Sequence, residues 1–142
     1  MDFGLPLGAS HNLIYQASGV WIPLSHATGV MYYSFLDAGT QSVTLKEAKT
    51  SAGGSETNLV QIDTIYKIPN AGGTWTKVTQ TASATFDLST DATNDVMGIY
   101  VTASSLSDGF DHVELTAATG TCVAVIVGLA VQRAPENLAT NI

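Results

Sequence analysis

The sequence predicts an all-β protein: an antiparallel β-sandwich, jelly-roll-like, with extended N- and C-terminal arms. Three observations carry that prediction. Apolar residues recur with period two in one segment after another. Turn signals rich in Gly, Asp and Asn separate those segments at fairly regular intervals. No stretch carries a strong helix signal, and many short strands punctuated by turns suit a sandwich or barrel. The reading places an arm over residues 1–10, one sandwich domain over 11–131 and a second arm over 132–142.

The elements follow in chain order. The arm Met1–Ser10 spaces Phe3, Leu5 and Leu7 between Gly4, Pro6 and Gly8, so it is extended and carries apolar anchors. In QSVTLKEA, Val43 and Leu45 alternate with Thr44 and Lys46; the charges of Lys46, Glu47 and Lys49 would allow a helix over 42–50, but Val43-Thr44-Leu45 favours a strand. In NLVQIDTIYKI, strict alternation places Val60, Ile62, Tyr66 and Ile68 on one face, with Leu59 and Ile65 among Gln61, Asp63 and Lys67 on the other. Asn70 to Gly73 then reads as a hairpin loop leading to TWTKVTQ, where Trp75, Lys77 and Thr79 oppose Thr76, Val78 and Gln80. VMGIYVTA reads as a largely buried strand, and Asp111–Thr116 sets Val113 and Leu115 against His112 and Glu114.

The last strand signal, GTCVAVIVGLAVQR from Gly120 to Arg133, is apolar in both phases. Val123, Val125, Val127, Leu129 and Val131 share one face; Cys122, Ala124, Ile126, Gly128 and Ala130 share the other. A half-exposed strand would alternate apolar with polar, so this one is expected to be central and covered on both sides. On that reading Val125→Asp unfolds the domain. The run is too short for a membrane helix. The arm 132–142 follows, interrupted by Pro135, with Arg133, Leu138 and Ile142 as its candidate anchors.

Composition narrows the function. The 142 residues suit one domain. Charged residues are 12% of the chain, against about 25% in an average globular protein, while hydrophobic residues reach 45%. Such a surface suits a protein covered by neighbours. Twelve acids against five scattered bases give a net charge of −7, which argues against nucleic acid and anionic membranes as partners. The single cysteine, Cys122, lies in the most apolar segment and reads as a core residue. The first residues lack the charged and apolar regions of a secretory signal, so the expected site of synthesis and folding is a cytoplasm.

Catalytic equipment is sparse. His11, His26 and His112 accompany no nucleophile motif, and no metal-ligand spacing occurs. The oxygen-rich run Asp87–Asp95, with Asp108 and Asp111, could hold Ca²⁺, although turn chemistry explains it as well. Gly53-Gly54 and Gly72-Gly73 precede no helix and make no phosphate cradle. No enzyme activity and no cofactor are expected. A sugar-binding or adhesin sandwich is the alternative, because such domains stack pyranose rings on exposed aromatics. The candidates are Trp21, Tyr15, Tyr32, Tyr33, Tyr66, Tyr100 and, as the aromatic expected to be exposed, Trp75.

One resemblance adds to this reading. The order of Tyr66-Lys67, GGTWTKVTQ (72–80), MGIYV (97–101), LSDGFDHV (106–113) and QRAPENL (132–138) resembles the small virion proteins of tailed bacteriophages, the minor head or capsid decoration (cement) proteins. The likeness runs from Tyr66 to Leu138 and lies in segment order. It implies a non-enzymatic virion protein that binds the outside of a capsid, contacts the major capsid protein and stabilises capsomer contacts. It also implies self-association as a homotrimer and location on the capsid surface. A tail or connector component is the neighbouring possibility. The candidate interface residues are Phe3, Leu5, Leu7, Trp75, Arg133, Leu138 and Ile142.

Overall fold

The alternation read in the sequence becomes two packed antiparallel sheets. The structure is a computed structural model and describes residues 13–35, 41–68, 73–88, 96–117 and 120–128. The strands, in chain order, are β1 (Leu13–Gln16), β2 (Ile22–Pro23), β3 (Gly29–Phe35), β4 (Gln41–Ala48), β5 (Thr57–Asn58) and β6 (Ile62–Ile68). They continue with β7 (Thr76–Ser83), β8 (Thr85–Leu88), β9 (Val96–Thr102), β10 (His112–Ala117) and β11 (Thr121–Val127). A single 3-10 turn, Ala103–Ser105, follows β9.

One sheet has six strands in the order β1-β11-β3-β9-β6-β7; the other runs β2-β10-β4-β5, with β8 also paired to β4. Every pairing is antiparallel. At both ends of the chain successive strands change sheets, so late strands insert between early ones. Thus β11 lies between β1 and β3, and β10 lies between β2 and β4. The segment 42–50, for which a helix was conceivable, is strand β4, as Val43-Thr44-Leu45 required.

The core fills the space between the sheets. The six-stranded layer contributes Val30, Tyr32, Met97, Ile99, Cys122 and Ala124; the other contributes Ile22, Val43, Leu45, Phe86, Val113 and Leu115. Tyr32 spans the layers: it is fully buried, and its hydroxyl donates to the Val113 carbonyl at 3.2 Å. Burial, with smaller contributions from Glu114 and Cys122, holds the phenol well above its ordinary pKa, so the donor stays protonated. Cys122 is a core residue whose thiol donates to Ser34 Oγ at 3.4 Å, and Ser34 donates to Gln41 Oε1 at 2.9 Å. These short links satisfy polar groups at one end of the core.

Strict alternation fails in β6. The pairing with β7 shifts register between Ile62 and Thr64, so Ile62 and Ile65 both enter the core. The sequence reading had put them on opposite faces. Ile62 to Thr64 faces Thr79 to Ser83, so the extra residues lie on β7, and the inward phase of β6 changes across the irregularity.

Candidate functional site

The outer faces of the two sheets differ sharply, and the difference locates the candidate site. On the five-stranded layer, the outward row pairs His112 with Ala48, Glu114 with Lys46 and Thr116 with Thr44. This face is polar, and the chain itself covers it only in part, around Glu114. The Gly19 N–H, in the connection from β1 to β2, donates to Glu114 Oε1, which leaves Glu114 buried. Trp21 is buried in the same connection, and a methyl at Gly53 would come within 2.8 Å of its Nε1. Lys46 pairs with Glu56 at 3.1 Å. Burial raises the Glu114 carboxyl pKa; the Gly19 bond and Lys46 oppose the shift, and Glu56 adds to it.

The outer face of the six-stranded sheet is apolar over β1, β11, β3 and β9 and turns polar toward β7, where Thr64 pairs with Thr79 and Tyr66 with Lys77. Cross-strand pairing builds one row from Leu13, Val125, Met31 and Tyr100. The next row is Tyr15, Val123, Tyr33, Gly98, Tyr66 and Lys77. Thr121, Phe35 and Val96 lie beyond it. Only Lys77, on the last strand, brings a charge into these rows. Leu13 and Tyr15 are 56% and 64% exposed, and Phe35, Tyr66, Trp75 and Val127 are exposed too. At about 150–250 Å² per aromatic side chain, these six leave about 500 Å² of apolar surface open. The half-buried Val123, Val125, Met31, Tyr33 and Tyr100 bring the face to about 700 Å², above the range usual for the largest patch on a monomer.

Two glycines shape this surface. A Cβ on Gly98 would lie 2.8 Å from Met31 Cε, with the Trp75 and Tyr33 rings at 3.6 and 3.7 Å. A Cβ on Gly29 would meet the Tyr100 hydroxyl at 2.9 Å. At Gly98 the Met31 methyl group and two rings occupy the space a side chain would take, whereas at Gly29 a Cβ would first strike the Val101 carbonyl oxygen. Trp75 and Tyr33 pack with centroids 6.2 Å apart and planes tilted by 52°.

Sequence-predicted site residues fare unequally. Trp75 is exposed at 43%, as expected, yet Tyr15 is the more exposed aromatic. Phe3, Leu5, Leu7, Arg133, Leu138 and Ile142 lie outside the described residues, as do both arms. His112 Nδ1 is 2.5 Å from Asp111 Oδ1, and His26 is exposed between β2 and β3. Of the oxygen-rich run, residues 89–95 lie outside the described residues; Asp87 is exposed, and its carbonyl accepts from Lys67 Nζ at 2.8 Å. Among the described residues no group of three potential ligands is placed to hold a metal ion.

The expectation that β11 is covered on both sides needs correction. Its small residues, Cys122 and Ala124, face the core, whereas Val123 and Val125 are half-buried and Val127 is exposed. The strand is central in its sheet, but its valines point outward. Sequence reasoning missed this face because it took two-phase apolarity to mean burial by the chain itself. A usable signal was present: Leu13 with Tyr15, and Met31, Tyr33 and Phe35, repeat an outward apolar phase on neighbouring strands. No protein family, curated protein or solved structure matches the chain.

Proposed function

We propose that this is a non-enzymatic virion structural protein that binds the outside of a phage capsid and stabilises contacts between capsomers. The observation that supports the reading is the largely apolar, nearly uncharged outer face of the six-stranded sheet. A sandwich needs one apolar face per sheet to fold; a second apolar face serves contact with something else. The resemblance to decoration proteins supplies the shell as partner and the homotrimer as the assembled unit. The nested strand order supports the jelly-roll-like winding.

The mechanism is burial repeated over many equivalent positions. At about 25 cal/mol per Å², covering ~700 Å² contributes roughly 17 kcal/mol before costs. Association takes back about 4–15 kcal/mol of that. Each contact is thus modest, and repetition on a symmetric shell multiplies its effect. Mixing the purified protein with empty phage heads and imaging them tests the reading. Regular added density over the shell is the expected result, and bare heads at saturating protein refute it. Density confined to one vertex or to tails would transfer the role to a connector or tail component.

The aromatic group Trp75, Tyr33 and Tyr66 favours a second reading, a carbohydrate-binding or adhesin module. The tilt between Trp75 and Tyr33 denies a sugar ring one flat platform across both, so this reading ranks below the first. Trp75→Ala abolishing measured glycan binding would reverse that ranking.

A further inference from the structure

We infer that in the free protein the outer face of the six-stranded sheet is covered by a second copy of this chain; the inference rests on the proposed function's reading of this face as a contact surface, and the face-to-face pair is a two-fold dimer in place of the homotrimer that the resemblance implies. Area is the first argument. The open apolar surface of about 700 Å² approaches the ~800 Å² that each partner contributes to a stable interface of standard size. Shape is the second. Met31, Trp75 and Tyr33 close over Gly98 in the middle of the face, and sheet faces pack on one another about 10 Å apart.

Charge is the third argument. The chain carries a net charge of −7, yet the paired rows of this face hold no acid and a single base, Lys77, at one margin. Two such faces can meet without setting carboxylate against carboxylate, the arrangement that costs most in a self-complementary contact. A basic or acidic partner would find no opposite charge here to select it. A copy of the same face offers matching area and neutrality.

Sedimentation velocity over a wide concentration range provides the test, using wild type, Tyr15→Glu, Val125→Glu and a control, Thr116→Glu, on the opposite layer. Wild type and control should show a species heavier than the monomer that dissociates on dilution. Tyr15→Glu and Val125→Glu should each weaken association by about 100-fold or more while circular dichroism stays native. Tyr15 is exposed at the sheet edge, so its variant guards against a folding failure at Val125. A wild type that stays monomeric throughout, or face variants that associate like wild type, overturns the inference. Head binding measured in parallel separates it from the proposed function. Monomers that coat heads and lose that ability in Tyr15→Glu would overturn pairing and leave decoration standing. Intact pairing with no head binding would do the reverse.

Discussion

Aspartate placed at two consecutive positions of β11 should have opposite consequences. Ala124 is fully buried, in an inward row with Ile14, Tyr32 and Ile99. A carboxylate there has no partner, and burying one costs several kcal/mol even after relaxation. Total stability of a domain is about 5–15 kcal/mol, so Ala124→Asp should leave little or no folded protein. Val125 is half-buried on the outer face between Leu13 and Met31. Full burial of a valine contributes roughly 1.5–3 kcal/mol, so Val125→Asp should cost about 1 kcal/mol. Urea unfolding followed by the fluorescence of buried Trp21 and by far-ultraviolet circular dichroism measures both. The lowest workable concentration keeps association from adding to stability. If Val125→Asp unfolds the protein as completely as Ala124→Asp, the outer face is covered within the chain and the candidate site does not exist. If Ala124→Asp remains folded, the sheet is turned the other way.

Other consequences are open to simpler measurements. Tyr32→Phe removes the interlayer bond to the Val113 carbonyl and should lower stability by about 1 kcal/mol, read as a lower Tm; an unchanged Tm argues against the bond. Gly53 has φ of +77° and faces the Trp21 indole, so Gly53→Ala should cost about 1–2 kcal/mol and alter Trp21 fluorescence, whereas a silent variant contradicts that contact. Glu114, raised by burial, holds its proton in the folded chain at pH values where the unfolded chain has lost it. Stability therefore falls as pH rises from the ordinary carboxylate range through the raised folded value. Glu114→Gln should remove that part of the slope, and a wild-type-minus-variant difference that is flat with pH refutes the assignment.

Much of the fold was legible because the period of two is a local property. The strand at 41–48, the inward pair Val113 and Leu115, and the core position of Cys122 all follow from alternation and residue type. Two kinds of information were not local. The register shift in β6 depends on pairing with β7, which no alternation within 62–68 reveals, so Ile62 and Ile65 were assigned to opposite faces. The orientation of β11 depends on its neighbours, because both of its phases are apolar. There volume decided: the same inward row holds Tyr32 and Ile99 on the neighbouring strands, which leaves room beside them for the small Ala124 and turns the valines outward. The site shared that ambiguity, since Trp75 was visible as one exposed aromatic but the rows around it required cross-strand pairing.

The two outer faces also act as an internal comparison for the functional reading. Low overall charge by itself has an innocent explanation, a chain that uses Ser and Thr in place of charged residues. Such a chain would thin its charges evenly over both layers. Instead Lys46, Glu114 and His112 occupy the outer row of the five-stranded layer, where the connection through Gly19 covers Glu114. The six-stranded layer, whose rows hold Lys77 as their one charge, leaves Tyr15 and Leu13 open. The layer that its own chain partly covers is polar outside, and the layer left open is largely apolar. Solubility alone would favour the opposite distribution, since open sheet faces gain from polar residues. The difference makes sense if the six-stranded face spends its working life against another surface, with its neutrality maintained for that contact.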